Sequence, residues 1–154
     1  MLDDRTAAYV IEAHPAFDDL RQVAAQLAGL LVLVATGSKD ASPDHPMLET
    51  AKQVCAKGVD GVKSASSLVG DRTEAHHRDL LAACESLSRA LTSAEKWPVD
   101  VDAVLVPLRA AYHSLQSASR KLPGFQVVSF EQACCGYSRR TETTITAEHA
   151  KRAE

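Results

Sequence analysis

Apolar residues separated by three and four positions recur along most of this chain, and a polypeptide with that period has few ways to bury them other than as amphipathic helices. Phe17, Leu20, Ala24, Leu27, Leu31 and Val34 follow the spacing, with Val23 and Leu30 widening the stripe. A second series runs Leu48, Ala51, Cys55, Gly58, Val62, Ala65, Val69. In a third, Thr73, His77, Leu80, Cys84, Leu87, Leu91 and Ala94 alternate steps of four and three, the seam of a heptad. Val101, Leu105, Leu108, Tyr112, Leu115, Ser119 and Leu122 make a fourth. Four such stripes with mostly short connections predict an all-α fold, an up-down-up-down four-helix bundle.

Local signals set the expected boundaries. Pro15 suits a first helical position, where its missing N–H costs nothing, so the first core helix is expected over residues 15–35 and is stopped by Gly37. Residues 3–13 add a short leading helix through Ala7, Ala8, Val10 and Ile11. Residues 37–46 form a loop in which Ser42 or Asp44 caps the second helix. Gly58 and Gly61 each lower helix propensity by about 1 kcal/mol relative to Ala, and close approach of a neighbouring helix is the expected reason for them. Gly70 ends that helix, and Asp71 with Glu74 reads as a capping box for the third, which runs to Trp97 before Pro98. The fourth begins near Asp100 or Asp102, and Pro107 either kinks it or marks its true start.

Helical periodicity stops at Pro123 and Gly124. Residues 125–130 are aromatic and β-branched and are expected to be extended, with at most one short strand near 126–130. Residues 131–136 suit one helical turn, and 138–154 form a polar tail. The chain thus reads as a single domain over residues 1–154: an N-terminal segment 1–14, a four-helix core 15–122 and a C-terminal extension 123–154. At 154 residues it buries enough surface to fold without disulfides or metal.

Charge and run length narrow the function classes. Seventeen Lys and Arg against twenty Asp and Glu give a net charge of −3, which supplies no field for a phosphate backbone, so nucleic acid is not an expected partner. The longest apolar run, residues 27–35, is far short of the roughly 20 residues a membrane helix requires, so no membrane association is expected. The first residues, Met1 to Arg5, lack the basic region and apolar core of a secretory signal, and four cysteines make no disulfide framework. A cytoplasmic protein is expected.

Few residues invite chemistry. Glu74 and His77 have the Glu-x-x-His spacing that puts two metal ligands on one helix face. The motif occurs once, however, and the other seams carry no carboxylate, so a di-iron site is not expected. Cys55 and Cys84 lie fifteen and fourteen residues from a turn at Gly70 and Asp71, so an antiparallel hairpin brings them to nearly the same height. They read as small core residues in preference to a thiolate pair. Cys134 and Cys135 are adjacent, with Arg139 and Arg140 near enough in sequence to favour a thiolate, but no Cys or His quartet completes a zinc site. His113 falls on the polar face of the fourth helix with Arg109, Gln116 and Arg120. Phosphate-binding glycine loops, nucleophile elbows and HExxH are absent.

The function these features point to is a non-enzymatic interaction or assembly module that forms a homodimer and meets a protein partner, with no cofactor. Phe125, Phe130 and Tyr137, clustered outside the four helices, are the expected interface. The alternative is a bundle that binds a small ligand or soft metal through Glu74, His77, Cys134 and Cys135.

Overall fold

The computed structural model describes residues 4–37, 46–69, 74–122 and 125. Four helices carry the chain: α1 (Asp4–Ala35), α2 (Pro46–Ala65), α3 (Glu74–Ala94) and α4 (Val101–Lys121). Of the described residues 90% are helical and none is in a strand. The bundle expected from the periodicity is the fold observed.

Helix α1 differs from its expected form. The leading segment and the first core helix are one element of 32 residues, with Pro15 inside it. A proline there cannot donate to the carbonyl four residues back, at Ile11. Ile11 is 75% exposed, which puts that carbonyl on the watery side of the helix, and Pro15 itself is exposed. Burial of Tyr9, Ala13, Ala16 and Phe17 on both sides of the proline holds the helix through it. The N-terminal segment is thus part of the core, and its inward residues are Tyr9 and Ala13 in place of Ile11. Gly37, at φ 69°, follows the last turn in the left-handed conformation that glycine accepts without strain.

Helix α2 ends earlier than expected, at Ala65, and continues as a 3-10 turn, Ser66–Leu68. The reason for its two glycines is visible. A Cβ on Gly58 would lie 3.1 Å from Leu20 Cδ2, and one on Gly61 would lie 2.8 Å from Ala16 Cβ. Advancing along α2 from Gly58 to Gly61 moves back along α1 from Leu20 to Ala16, so the two helices are antiparallel and in close contact.

Helix α3 stops at Ala94, three residues short of Trp97. Proline disfavours a helical conformation in the residue before it, which bars Trp97 from extending the helix. Helix α4 starts at Val101. Asp100 caps it, its carboxylate accepting from the backbone N–H of Asp102 (3.1 Å) and Ala103 (3.4 Å). Pro107 therefore lies within the helix and does not begin it. The buried face of α4 is wider than the expected seam: Leu108, Tyr112, Leu115 and Leu122 are buried as expected, Val104, Ala111 and Ala118 join them, and Val101, Leu105 and Ser119 are only half-buried. The alanines, too small to register as a hydrophobic stripe, allow the neighbouring helices to come close.

Helix α1 packs along α2, and α3 along α4. The two hairpins join through α1–α4 and α2–α3, and α1 touches α3 across the bundle. Lys52 on α2 pairs with Glu95 at the end of α3 (2.9 Å), and Lys121 at the end of α4 with Asp79 near the start of α3 (2.8 Å). Both pairs fix neighbouring helices as antiparallel. The core between them is mostly aliphatic, with Leu20, Leu27, Leu30, Leu80, Leu87, Leu108 and Leu115 fully buried beside the aromatic Tyr9, Phe17 and Phe125. No helix among the described residues is long and apolar enough to cross a membrane.

Candidate functional site

His77 is the sequence-flagged residue that the structure places most distinctly. It is 7% exposed, one turn into α3, and faces Tyr9 of α1, which is fully buried. The Tyr9 hydroxyl lies 3.1 Å from His77 Nδ1, and the two rings meet edge to face with centroids 5.8 Å apart. Burial holds the His77 imidazole below the usual histidine range. Burial, reinforced by the neighbouring Asp79 and then Cys84, holds the Tyr9 phenol above its usual value. Both groups are consequently neutral at pH 7, and the phenol hydroxyl and Nδ1 share one hydrogen bond. The contact satisfies two polar atoms that a dry core would otherwise leave orphaned.

Around this pair lies a half-exposed polar belt. His76 Nδ1 is buried without a hydrogen-bond partner. Burial and then Lys121 push the His76 pKa down, with Asp79 opposing them. Glu74 begins α3, and its side chain lies outside the described structure, as do Cys134, Cys135, Phe130 and Tyr137. Among the described residues no three His, Cys, Asp or Glu side chains are grouped so as to hold a metal ion. His14 is near Asp18, with Nδ1 3.5 Å from the carboxylate, and His113 is exposed on α4.

Cys55 and Cys84 are both buried and free. Burial raises the Cys84 thiol to about 12, with the charge of Cys55 adding to the effect. Burial raises Cys55 as well, outweighing its hydrogen bond with Ser88. Neither is a thiolate at neutral pH, and nucleophilic or redox chemistry starts from thiolate. Cys55 borders a cleft of about 370 Å³ between α2 and α3, spanned by the Lys52–Glu95 pair.

Phe125 stands apart from the sequence expectation of an exposed interface residue. It is 1% exposed within its own chain. Its ring packs on Phe17 with centroids 4.7 Å apart and edge-on to His14 at 5.2 Å. After Leu122 the chain brings this ring back over α1, because a large apolar side chain two residues past Pro123 has a core within reach.

A groove of about 1050 Å³ runs along the outer side of α3 and α4. Small side chains open it: Ser86 and Ser93, seven residues apart on α3, and Ala103 and Ala110, seven apart on α4. Val106 stands beside it, 69% exposed, and Glu85, Arg89 and Asp102 supply charge. Neither this groove nor the α2–α3 cleft includes His77 or Tyr9. Sequence reading missed both Tyr9 and the groove. Extending the stripe backward through Pro15, from Phe17 to Ala13 and Tyr9 in steps of four, would have found the first. The second arises from small polar and alanine positions that carry no hydrophobic signal.

No protein-family model, curated protein or solved structure matches this chain.

Proposed function

We propose that the chain is a non-enzymatic interaction or assembly module that works as a homodimer. One observation carries the reading. The bundle interior is packed with aliphatic and aromatic side chains, while a groove of about 1050 Å³ lies on the outside, between α3 and α4. A ligand-binding or catalytic bundle keeps its polar groups converging on an internal cavity. Here the buried histidine is turned to a tyrosine instead. The free thiols Cys55 and Cys84 suit a reducing compartment, and we place the protein in the cytoplasm on that basis.

Sedimentation velocity on the full chain, paired with native mass spectrometry and metal analysis of protein purified without chelator, tests this reading. The expected result is a self-associating species with neither stoichiometric metal nor small molecule. A tightly held ion or ligand at one per chain would replace the proposal with a binding bundle.

A further inference from the structure

We infer that the outer face of α3 and α4 is the surface on which two copies of this chain meet, about a two-fold axis through the middle of the groove. The inference rests on the assembly reading and says which surface does the assembling. An isologous contact requires a patch that is complementary to itself. This face carries both halves of such a match. Val106 protrudes, 69% exposed, beside a groove kept open by Ser86, Ser93, Ala103 and Ala110. The groove spans residues 85–93 of α3 and 102–110 of α4, with Arg89 and Val106 at the midpoints of those spans. A two-fold axis between these midpoints lays each Val106 across the Arg89 stem and the small side chains of the other copy.

Charge fits the same arrangement. Arg89 is central, while Glu85 and Asp102 lie toward opposite ends of the groove. Arg89 pairs with Glu85 on its own helix. Near the axis its guanidinium also comes within reach of acids from the second copy, so the face presents both signs where they meet. A third argument is area. Twenty-one residues in each of the two helices give a face roughly 30 Å long and 20 Å wide. Pairing the whole of it covers at most about 1,200 Å² in total, the lower edge of specific interfaces. The dimer should therefore dissociate on dilution.

The test is sedimentation velocity over a dilution series of the full chain, with Val106→Arg and Ile11→Arg variants. Both positions are exposed, and circular dichroism verifies that the variants are folded. The expected result is a dimer for the unaltered chain, self-association weakened at least about tenfold by Val106→Arg, and no change with Ile11→Arg. A Val106→Arg protein that dimerises as well as the unaltered chain overturns this surface and leaves the assembly reading intact. An unaltered chain that stays monomeric throughout overturns both. In an independent measurement, a benzophenone amino acid at position 106 should cross-link two chains, with the adduct on α3 or α4. Adducts confined to α1 or α2 would overturn the proposed face.

Discussion

Tyr9 and His77 place polar atoms in a largely apolar core, and the price of breaking their contact is set by what remains buried. Tyr9→Phe keeps the ring and removes the hydroxyl, leaving His77 Nδ1 without its partner. A loss of about 1–3 kcal/mol in urea denaturation is expected, and Tyr9→Phe combined with His77→Leu should recover part of it. The same contact makes folding sensitive to acid. Burial lowers the pKa of His77, and of His76, in the folded chain, so between that lowered value and about 6.5 the unfolded chain binds more protons. Stability is then complete above the usual histidine range and is lost as pH falls through it. Denaturation midpoints should drop between pH 7.5 and pH 5, and the drop should shrink in His77→Leu. A midpoint independent of pH across that interval would show that His77 titrates normally and is not buried. His77 itself was legible in the sequence as a seam position. Its partner was not, because a helix start was read at Pro15 and the tyrosine before it was left without a face.

At the scale of the element, the helices were readable where apolar side chains are large and obscure where they are small. The periodicity located all four, but the α4 seam was incomplete because Ala111 and Ala118 are core residues that hydropathy barely distinguishes from surface. Proline misled for a different reason. The rule that places it at a helix start reflects a local cost, and in α1 the tertiary burial of Ala13, Ala16 and Phe17 offsets that cost. The glycines of α2 were read correctly as sites of close approach, and the geometry ranks them. At Gly61 a Cβ meets the Ala16 Cβ at 2.8 Å, an atom fixed to backbone that cannot rotate away. At Gly58 the neighbours stand further off, Leu20 Cδ2 at 3.1 Å and Asp19 Cβ at 3.3 Å, so a smaller shift makes room. Replacing either by Ala gains about 1 kcal/mol of helix propensity. For Gly61→Ala the overpacking, typically ~1–3 kcal/mol, exceeds that gain, and a net loss of about 1 kcal/mol is expected. Gly58→Ala should be near neutral. Thermal denaturation of the two variants checks the order, and equal midpoints would mean that α1 and α2 separate freely.

The whole molecule is held by two helical hairpins pressed together, and Phe125 lies where the chain leaves α4 and returns to α1. Sequence reading put this ring outside the bundle because helical periodicity had ended at Pro123, and a period says nothing about a residue that packs after the helix is over. The core leucines were readable by the same criterion that failed here: Leu27, Leu80, Leu87, Leu108 and Leu115 sit on strict seams and are buried. Phe125 is as buried as they are, yet it stands beyond the regular structure, so it tests whether the bundle is closed by its helices alone. Phe125→Ala should cost about 3–5 kcal/mol if the ring seals the core, close to the cost of a large aromatic deleted from within a helix. A polar, exposed end would give a cost near zero. Phe17→Ala should lose a comparable amount, since Phe17 is fully buried and its ring lies 4.7 Å from that of Phe125. Rings in contact do not contribute independently. The double substitution should lose less than the sum of the singles, by about 0.5–1.5 kcal/mol for an aromatic pair. Urea denaturation of the four proteins, followed by far-ultraviolet circular dichroism, measures that coupling. Strict additivity would mean the two rings are apart in solution and that residues after Leu122 take no part in the core.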